Sequence, residues 1–322
     1  MSNLDPEPDE IVVASTGSRT ELLEPRDVPL GGPRSLTVRR TLPQRQRSLI
    51  GPWCFVDHYG PDPVSGPGAM TVPPHPHTGL QTVSWLFAGE IEHRDSTGSH
   101  AMVVPGELNL MTAGRGIQHS EVSTAATDVL HGAQLWVALP DADRNSTPFF
   151  EHYAPPPVRF GEATLHVFLG ELVGSASPAR AFSPIVGAQI DLPASASIEL
   201  PVDASFEHGV LLDTGSVAVD GEDVPLGHLA YRAPASSTLR LVAGPEGARL
   251  LLIGGTPFGE SIIMWWNFIG RTHDEVVRFR TEWQADVVAG ARDDGRFGVV
   301  AGYPGRPLPA PELPGVRLKP RG

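Results

Sequence analysis

The chain has 322 residues, 40% of them hydrophobic and 19% charged, which is enough for two domains of ordinary size. Its formal charge of −13 opposes phosphate backbones and argues against direct nucleic-acid binding. A single cysteine, Cys54, rules out an intramolecular disulfide. No apolar run approaches the ~18 residues of a membrane span, and the acidic N-terminus has no apolar leader core, so a cytoplasmic protein is expected.

Residues 1–33 carry seven acidic and two basic residues with several prolines, which predicts a flexible acidic tail with its end tied down. Order is expected from Ser35-Leu-Thr-Val-Arg-Arg onward. The arginines 34, 39, 40, 45 and 47 read as a solvated strand face with internal ion pairs. Strand-like runs follow at Thr82–Phe87, Ala101–Val104, Leu108–Met111 and Gln134–Leu139, spaced by turn residues as in a sandwich or barrel. A domain over 34–145 is therefore expected. A Pro-, Asp- and Asn-rich linker over 146–160 ends in Pro155-Pro-Pro157. A second domain over 161–322 repeats the pattern at Leu165–Leu169, Gln189–Leu192, Ser197–Leu200, Val210–Asp213, Ser216–Val219, Thr238–Val242 and Arg249–Ile253. Asp220-Gly221 between two of these runs is a hairpin turn. Near the end, Thr272-His-Asp-Glu275 is a capping box, and Val276, Phe279, Trp283 and Val287 form one apolar helix face closed by Gly290.

The chemistry concentrates in two short runs, Pro-His75-Pro-His77 and His119-Ser-Glu121. Alternate residues of an extended strand point to one face, so each pair can aim both side chains into a common cavity. Three imidazoles and a carboxylate suit a divalent transition metal. No cysteine takes part in these runs, which favours an open catalytic site over a closed structural zinc site. Seven of the 12 histidines lie between His58 and His131; of these, His93 and His100 read as ordinary hairpin-tip residues. Gly114-Arg-Gly116 has no helix after it, so it reads as a turn that brings His119 inward rather than as a phosphate loop. Cys54, between Trp53 and Phe55, reads as a buried, inert thiol.

Several runs together resemble the pirin family of the cupin superfamily: Ile50-Gly-Pro-Trp, Phe55-Val-Asp-His-Tyr-Gly-Pro61, Pro74-His-Pro-His-Thr-Gly-Leu-Gln-Thr-Val83, Gly89-Glu-Ile-Glu-His-Arg-Asp95, Met111-Thr-Ala-Gly-Arg-Gly-Ile-Gln-His-Ser-Glu121 and Gln134-Leu-Trp-Val137. A looser match runs from Trp265-Trp-Asn-Phe-Ile269 through the helix. The resemblance implies an all-β bicupin: two jelly-roll barrels packed face to face, with a C-terminal helix and metal in the first barrel only. It carries the ligand roles onto His75, His77, His119 and Glu121, with one divalent ion, Fe(II) by family. It also implies quercetin 2,3-dioxygenase activity, in which a flavonol is cleaved by dioxygen with loss of carbon monoxide and Glu121 accepts the 3-hydroxyl proton. The family offers a second role, an iron-binding, redox-responsive regulator that acts through protein contacts without turnover.

Asp57 and His58 are expected as partners behind the ligands. Gln81, which stands where many pirins have glutamate, is expected to tune the ligands through hydrogen bonds. Met70, Met111, Trp53, Phe55 and Phe87 are candidates for the pocket wall. In the second half, the offsets that place the first histidine pair before Gly89 give Pro201 and Asp203 before Gly215. No second metal is therefore expected.

Overall fold

The computed structural model describes residues 20–29, 37–64 and 70–321. Strands dominate, and the chain forms two successive β-barrels followed by one helix. In the first barrel a seven-stranded sheet and a four-stranded sheet close on each other. Between them lie two apolar clusters, one around Phe55, Leu80, Met111, Ile117 and Trp136, the other around Val38, Tyr59, Leu86, Ile91 and Leu130. The second barrel is a ten-stranded sheet wrapped around an interior of Leu, Ile, Val and Ala.

A separate apolar core joins the barrels. Trp53, Val56, Val83, Trp85, Leu135 and Val137 of the first barrel meet Phe168, Leu169, Leu211, Leu251 and Ile253 of the second. Strand alternation assigns each side chain to the junction or to the first barrel's interior. Along Trp53–Pro63, Val56 faces the junction while Phe55 and Tyr59 face inward. Along Leu80–Ala88, Val83 and Trp85 face the junction while Leu80 and Leu86 face inward.

The domain boundaries differ from expectation in two places, the linker and the end of the second barrel. The proposed flexible tail lies partly outside the described residues, and its end is tied down. Strand Glu21–Leu23 pairs with Leu229–Arg232 of the second barrel, and strand Arg26–Pro29 pairs with Thr37–Leu42 of the first. Leu23, fully buried in the junction core, supplies the reason: ordering this segment removes a large apolar side chain from water. The proposed linker contains strand Phe149–Tyr153, an edge strand on Leu108–Thr112 of the first barrel. The chain beyond residue 255 also leaves the second barrel. It forms a two-stranded sheet, Ile263–Trp265 with Phe268–Gly270, then helix His273–Glu282 and a wider turn through Val288. This extension returns to the first barrel through Ile269 N–H to the Thr78 carbonyl (3.0 Å) and Leu308 N–H to the Pro74 carbonyl (2.8 Å).

The helix starts as its sequence specifies: the Thr272 side chain accepts from Glu275 N–H, and the Glu275 carboxylate accepts from the N-cap backbone. Val276, Phe279 and Trp283 are buried on one face, and the two aromatic residues pack with Phe268 and Phe297. Cys54 is buried and free, and burial pushes its thiol far above the ordinary range. No helix among the described residues is long and apolar enough to cross a membrane.

Candidate metal centre

Strands Thr71–His77 and Ile117–Ser123 are antiparallel neighbours, with His119 opposite His75 and Ile117 opposite His77. This register brings both histidine runs to one interior face. His75, His77 and His119 each offer a ring nitrogen, and the three lie within 4.8 Å of one another. His77 Nε2 and His119 Nε2 are 3.0 Å apart. His75 donates Nδ1–H to the Pro73 carbonyl at 2.9 Å, which leaves its Nε2 with a lone pair. Burial holds all three rings in the neutral form that metal binding requires, with His75 lowered to about 4 and His77 and His119 held well below the ordinary histidine value.

Glu121 lies beyond a register shift between His119 and Glu121, where its strand bulges against Thr71–His77. It is buried and lines the same cavity but falls outside the three-imidazole cluster. Burial pushes its carboxyl up to about 7, and a neighbouring cation would supply the charge that burial withholds. The donor set of three neutral imidazoles and one carboxyl fits a divalent transition metal.

The cavity has a volume of about 610 Å³, within the usual ligand-pocket range of roughly 300–1,000 Å³. One wall is a stack. The Arg40 guanidinium lies 4.2 Å over the Phe55 ring, Phe55 lies parallel to Trp136 at 4.0 Å, and Trp136 meets His77 edge-on. The opposite lining comes from the C-terminal extension through Met264, Trp266, Asn267 and Leu308. Of the five expected wall residues, only Phe55 lines the cavity. Trp53 is held in the barrel junction by hydrogen bonds to the Val186 and Gly254 carbonyls. Phe87 lies against His58 and His131, and Met70 and Met111 belong to the barrel core.

The residues expected behind the ligands separate by strand parity. Asp57 faces inward and receives both arms of Arg40, at 2.6 and 2.7 Å, so it anchors the cavity wall rather than a ligand. His58 faces the other way. It bonds Asp213 of the second barrel at 2.6 Å, beside His131, and touches none of the four proposed ligands. Gln81 shares the junction side of its strand with Val83 and Trp85, and donates to Thr112 Oγ1 and the Arg180 carbonyl. It therefore has no contact with the imidazoles.

His93 is the residue that sequence reasoning misplaced. It is buried, with its Nδ1 3.3 Å from His119 Nδ1 and its Nε2 3.1 Å from Asp95 Oδ2. The available signal was the alternation Ile91-x-His93-x-Asp95, which puts three buried side chains on one strand face. His100 is exposed at the hairpin, as expected.

Tandem β-barrels with a histidine-lined cavity in the first define a bicupin. The Pirin family model matches residues 35–137, and the Pirin C-terminal cupin domain matches residues 187–289. A Pseudomonas aeruginosa protein named "Putative quercetin 2,3-dioxygenase" is 39% identical, covering 94% of this chain and 98% of its own. Human pirin is 28% identical over 74% of this chain and 83% of its own. The crystal structure of quercetin 2,3-dioxygenase from Acinetobacter baumannii superposes with a TM-score of 0.84 at 36% identity, covering 93% and 97% of the two chains. The chain belongs to the pirin family.

Proposed function

We propose that this protein is a metal-dependent dioxygenase that cleaves a flavonol-like substrate with dioxygen and releases carbon monoxide. The observation that carries the reading is the juxtaposition of three buried imidazoles and Glu121 with an aromatic-walled cavity large enough for a small molecule. The names of the P. aeruginosa relative and the A. baumannii structure support a flavonol as the substrate class. His75, His77 and His119 would hold the ion, with Glu121 as the fourth ligand, and Fe(II) is the proposed metal. When bound, such an ion lowers the pKa of a coordinated hydroxyl and supplies redox chemistry toward dioxygen.

The chain's own residues do the rest. Glu121, on the cavity wall, takes the proton of the substrate hydroxyl. Phe55 and Trp136 offer an aromatic wall, and Arg40 closes the outer side of that stack. Met264 and Trp266 cover the cavity from the opposite side and reduce its access to water.

The test is anaerobic reconstitution with Fe(II), addition of quercetin and then oxygen, and measurement of flavonol absorbance against a His119→Ala control. Loss of absorbance with the wild-type protein but not the control is expected. Iron binding without turnover would sink the dioxygenase reading and favour the family's other role, an iron-binding regulator acting through protein contacts.

A further inference from the structure

We propose that Asp95 and His93 form a positioning relay that fixes the tautomer of His119 and so presents its Nε2 lone pair to the metal. The inference rests on the metal-centre reading above, but it is built from hydrogen-bond logic in the chain itself.

The logic starts at the hairpin turn. Asp95 Oδ1 accepts from Thr97 N–H (2.8 Å), Thr97 Oγ1–H (2.6 Å) and Ser99 N–H (3.1 Å). Three donors on one oxygen leave Oδ2 aimed at His93 Nε2, 3.1 Å away. A carboxylate only accepts, so His93 Nε2 carries the hydrogen. With that hydrogen on Nε2, the relay has His93 Nδ1 as the acceptor toward its neighbour at 3.3 Å, His119 Nδ1. His119 then carries its hydrogen on Nδ1. Its Nε2, which faces His77 Nε2 within the imidazole cluster, keeps the lone pair that a metal needs.

Packing holds the relay in place. The His93 ring stacks on Phe150 at 4.7 Å with an interplanar angle of 27°. Phe150 belongs to the edge strand Phe149–Tyr153, so that strand braces the metal centre from behind. His93 and Asp95 are both buried, which keeps water from competing for their hydrogen bonds. Neither is a ligand. They act through His119, in the way that outer partners orient ligating imidazoles at metal sites generally.

An isosteric substitution exploits the turn. In Asp95→Asn the three donors still demand an oxygen at the Oδ1 position, so the amide NH2 must point at His93. His93 would then accept at Nε2 and donate from Nδ1. His119 would accept at Nδ1 and carry its hydrogen on Nε2, which blocks coordination. In His93→Phe the ring stack remains but the relay is cut. In His93→Asn the amide oxygen can stand near the lost Nδ1 and restore the acceptor.

The experiment has two readouts. First, nitrogen-15 NMR of histidine-labelled, metal-free protein reports the tautomer of each buried imidazole directly. Wild-type His119 is expected as the Nδ1–H form and Asp95→Asn as the Nε2–H form. A wild-type His119 in the Nε2–H form overturns the proposal without reference to any metal. Second, Co(II) titration of the metal-free protein, followed by its visible absorption, gives the affinity. Asp95→Asn and His93→Phe are expected to weaken it about 10- to 100-fold while the folded spectrum is retained, and His93→Asn to stay within a few-fold of wild type. Affinities of Asp95→Asn and His93→Phe within about twofold of wild type would overturn the relay. Failure of the wild-type protein itself to take up Co(II), with the Nδ1–H tautomer present, would overturn the metal-centre reading instead.

Discussion

At the residue scale, the cavity wall depends on one buried ion pair. The side chain of Asp57 is fully buried, and burial pushes its carboxyl up despite the bidentate Arg40 guanidinium. Removing the arginine would strand a polar group that is already expensive to bury. Arg40→Ala is expected to cost about 2–4 kcal/mol, read from the urea unfolding midpoint, and to loosen the Phe55–Trp136 stack. Arg40→Lys should recover only part of the loss, because an ammonium cannot form the two parallel bonds. A cost below about 0.5 kcal/mol for Arg40→Ala would show that water replaces the guanidinium. The same scale shows what the sequence could and could not convey. The convergence of His75, His77 and His119, with Glu121 on the same cavity, was legible because His-x-His and His-x-Glu carry their geometry in their spacing. Asp57, His58 and Gln81 were not, because a one-residue change of parity sends a strand side chain to the opposite face. Whether a strand's second face is solvent or another barrel depends on long-range packing.

At the element scale, the strand carrying His119 and Glu121 is aimed by the turn before it. Gly114 has φ +48°, and its N- and C-flanking groups are fastened: the Gly114 carbonyl accepts from Gly79 N–H at 2.8 Å, and Arg115 N–H donates to the Ser146 carbonyl at 2.9 Å. A Cβ at Gly114 would lie 2.0 Å from the Ser146 carbonyl oxygen, which is backbone and cannot swing away. The reading of 114–116 as a turn that brings His119 inward agrees with this placement. Gly114→Ala is expected to lower stability by more than about 2 kcal/mol and to weaken metal uptake, since the strand must shift to relieve the contact. Gly98, at the tip of the hairpin that holds Asp95, makes a useful comparison. Its φ is +90°, but a Cβ there meets nothing within 4 Å, so Gly98→Ala should cost only the backbone strain of about 1–2 kcal/mol. Melting temperatures of the two variants, measured side by side, check the order; equal losses would mean that the Ser146 contact relaxes freely. The edge strand Phe149–Tyr153 was hidden in the sequence for a related reason. Its neighbours are prolines and polar residues typical of a linker, and only pairing with Leu108–Thr112 makes it a strand.

At the scale of the whole molecule, the barrels are joined by an apolar core that encloses a polar knot. Asp213, from the second barrel, accepts from His58 Nε2 and His131 Nε2 of the first, both at 2.6 Å, and from Arg249 Nε at 2.5 Å. Arg39 donates to His58 Nδ1, so His58 is the neutral tautomer with its hydrogen on Nε2. Burial opposes ionisation of Asp213, but the bonds from His131 and His58 hold its carboxyl well below the usual carboxylate range. Burial lowers His58 below the ordinary histidine value. Both shifts make the unfolded chain bind more protons than the folded one, so both remove stability on acidification. The His58 contribution is present above about pH 6.5 and fades below it, and that of Asp213 is present above about pH 4 and fades as the pH falls further. His208, buried in the second barrel and lowered to about 4, adds to the first window. In metal-free protein the lowered His75, His77 and His119 act in the same direction, and the raised Glu121 and Asp57 oppose them. With five lowered histidines against two raised carboxyls, the melting temperature is expected to fall from pH 7 to pH 4, and more steeply below. Asp213→Asn removes the shared acceptor's charge and turns its amide toward either the histidines or Arg249. It should cost about 3 kcal/mol at pH 7 and flatten the steep limb below pH 4. An Asp213→Asn melting profile that parallels the wild-type one across the whole acid range would mean that the knot opens to water. The barrels would then be held by their apolar contacts and by the Trp53 and Gln81 hydrogen bonds.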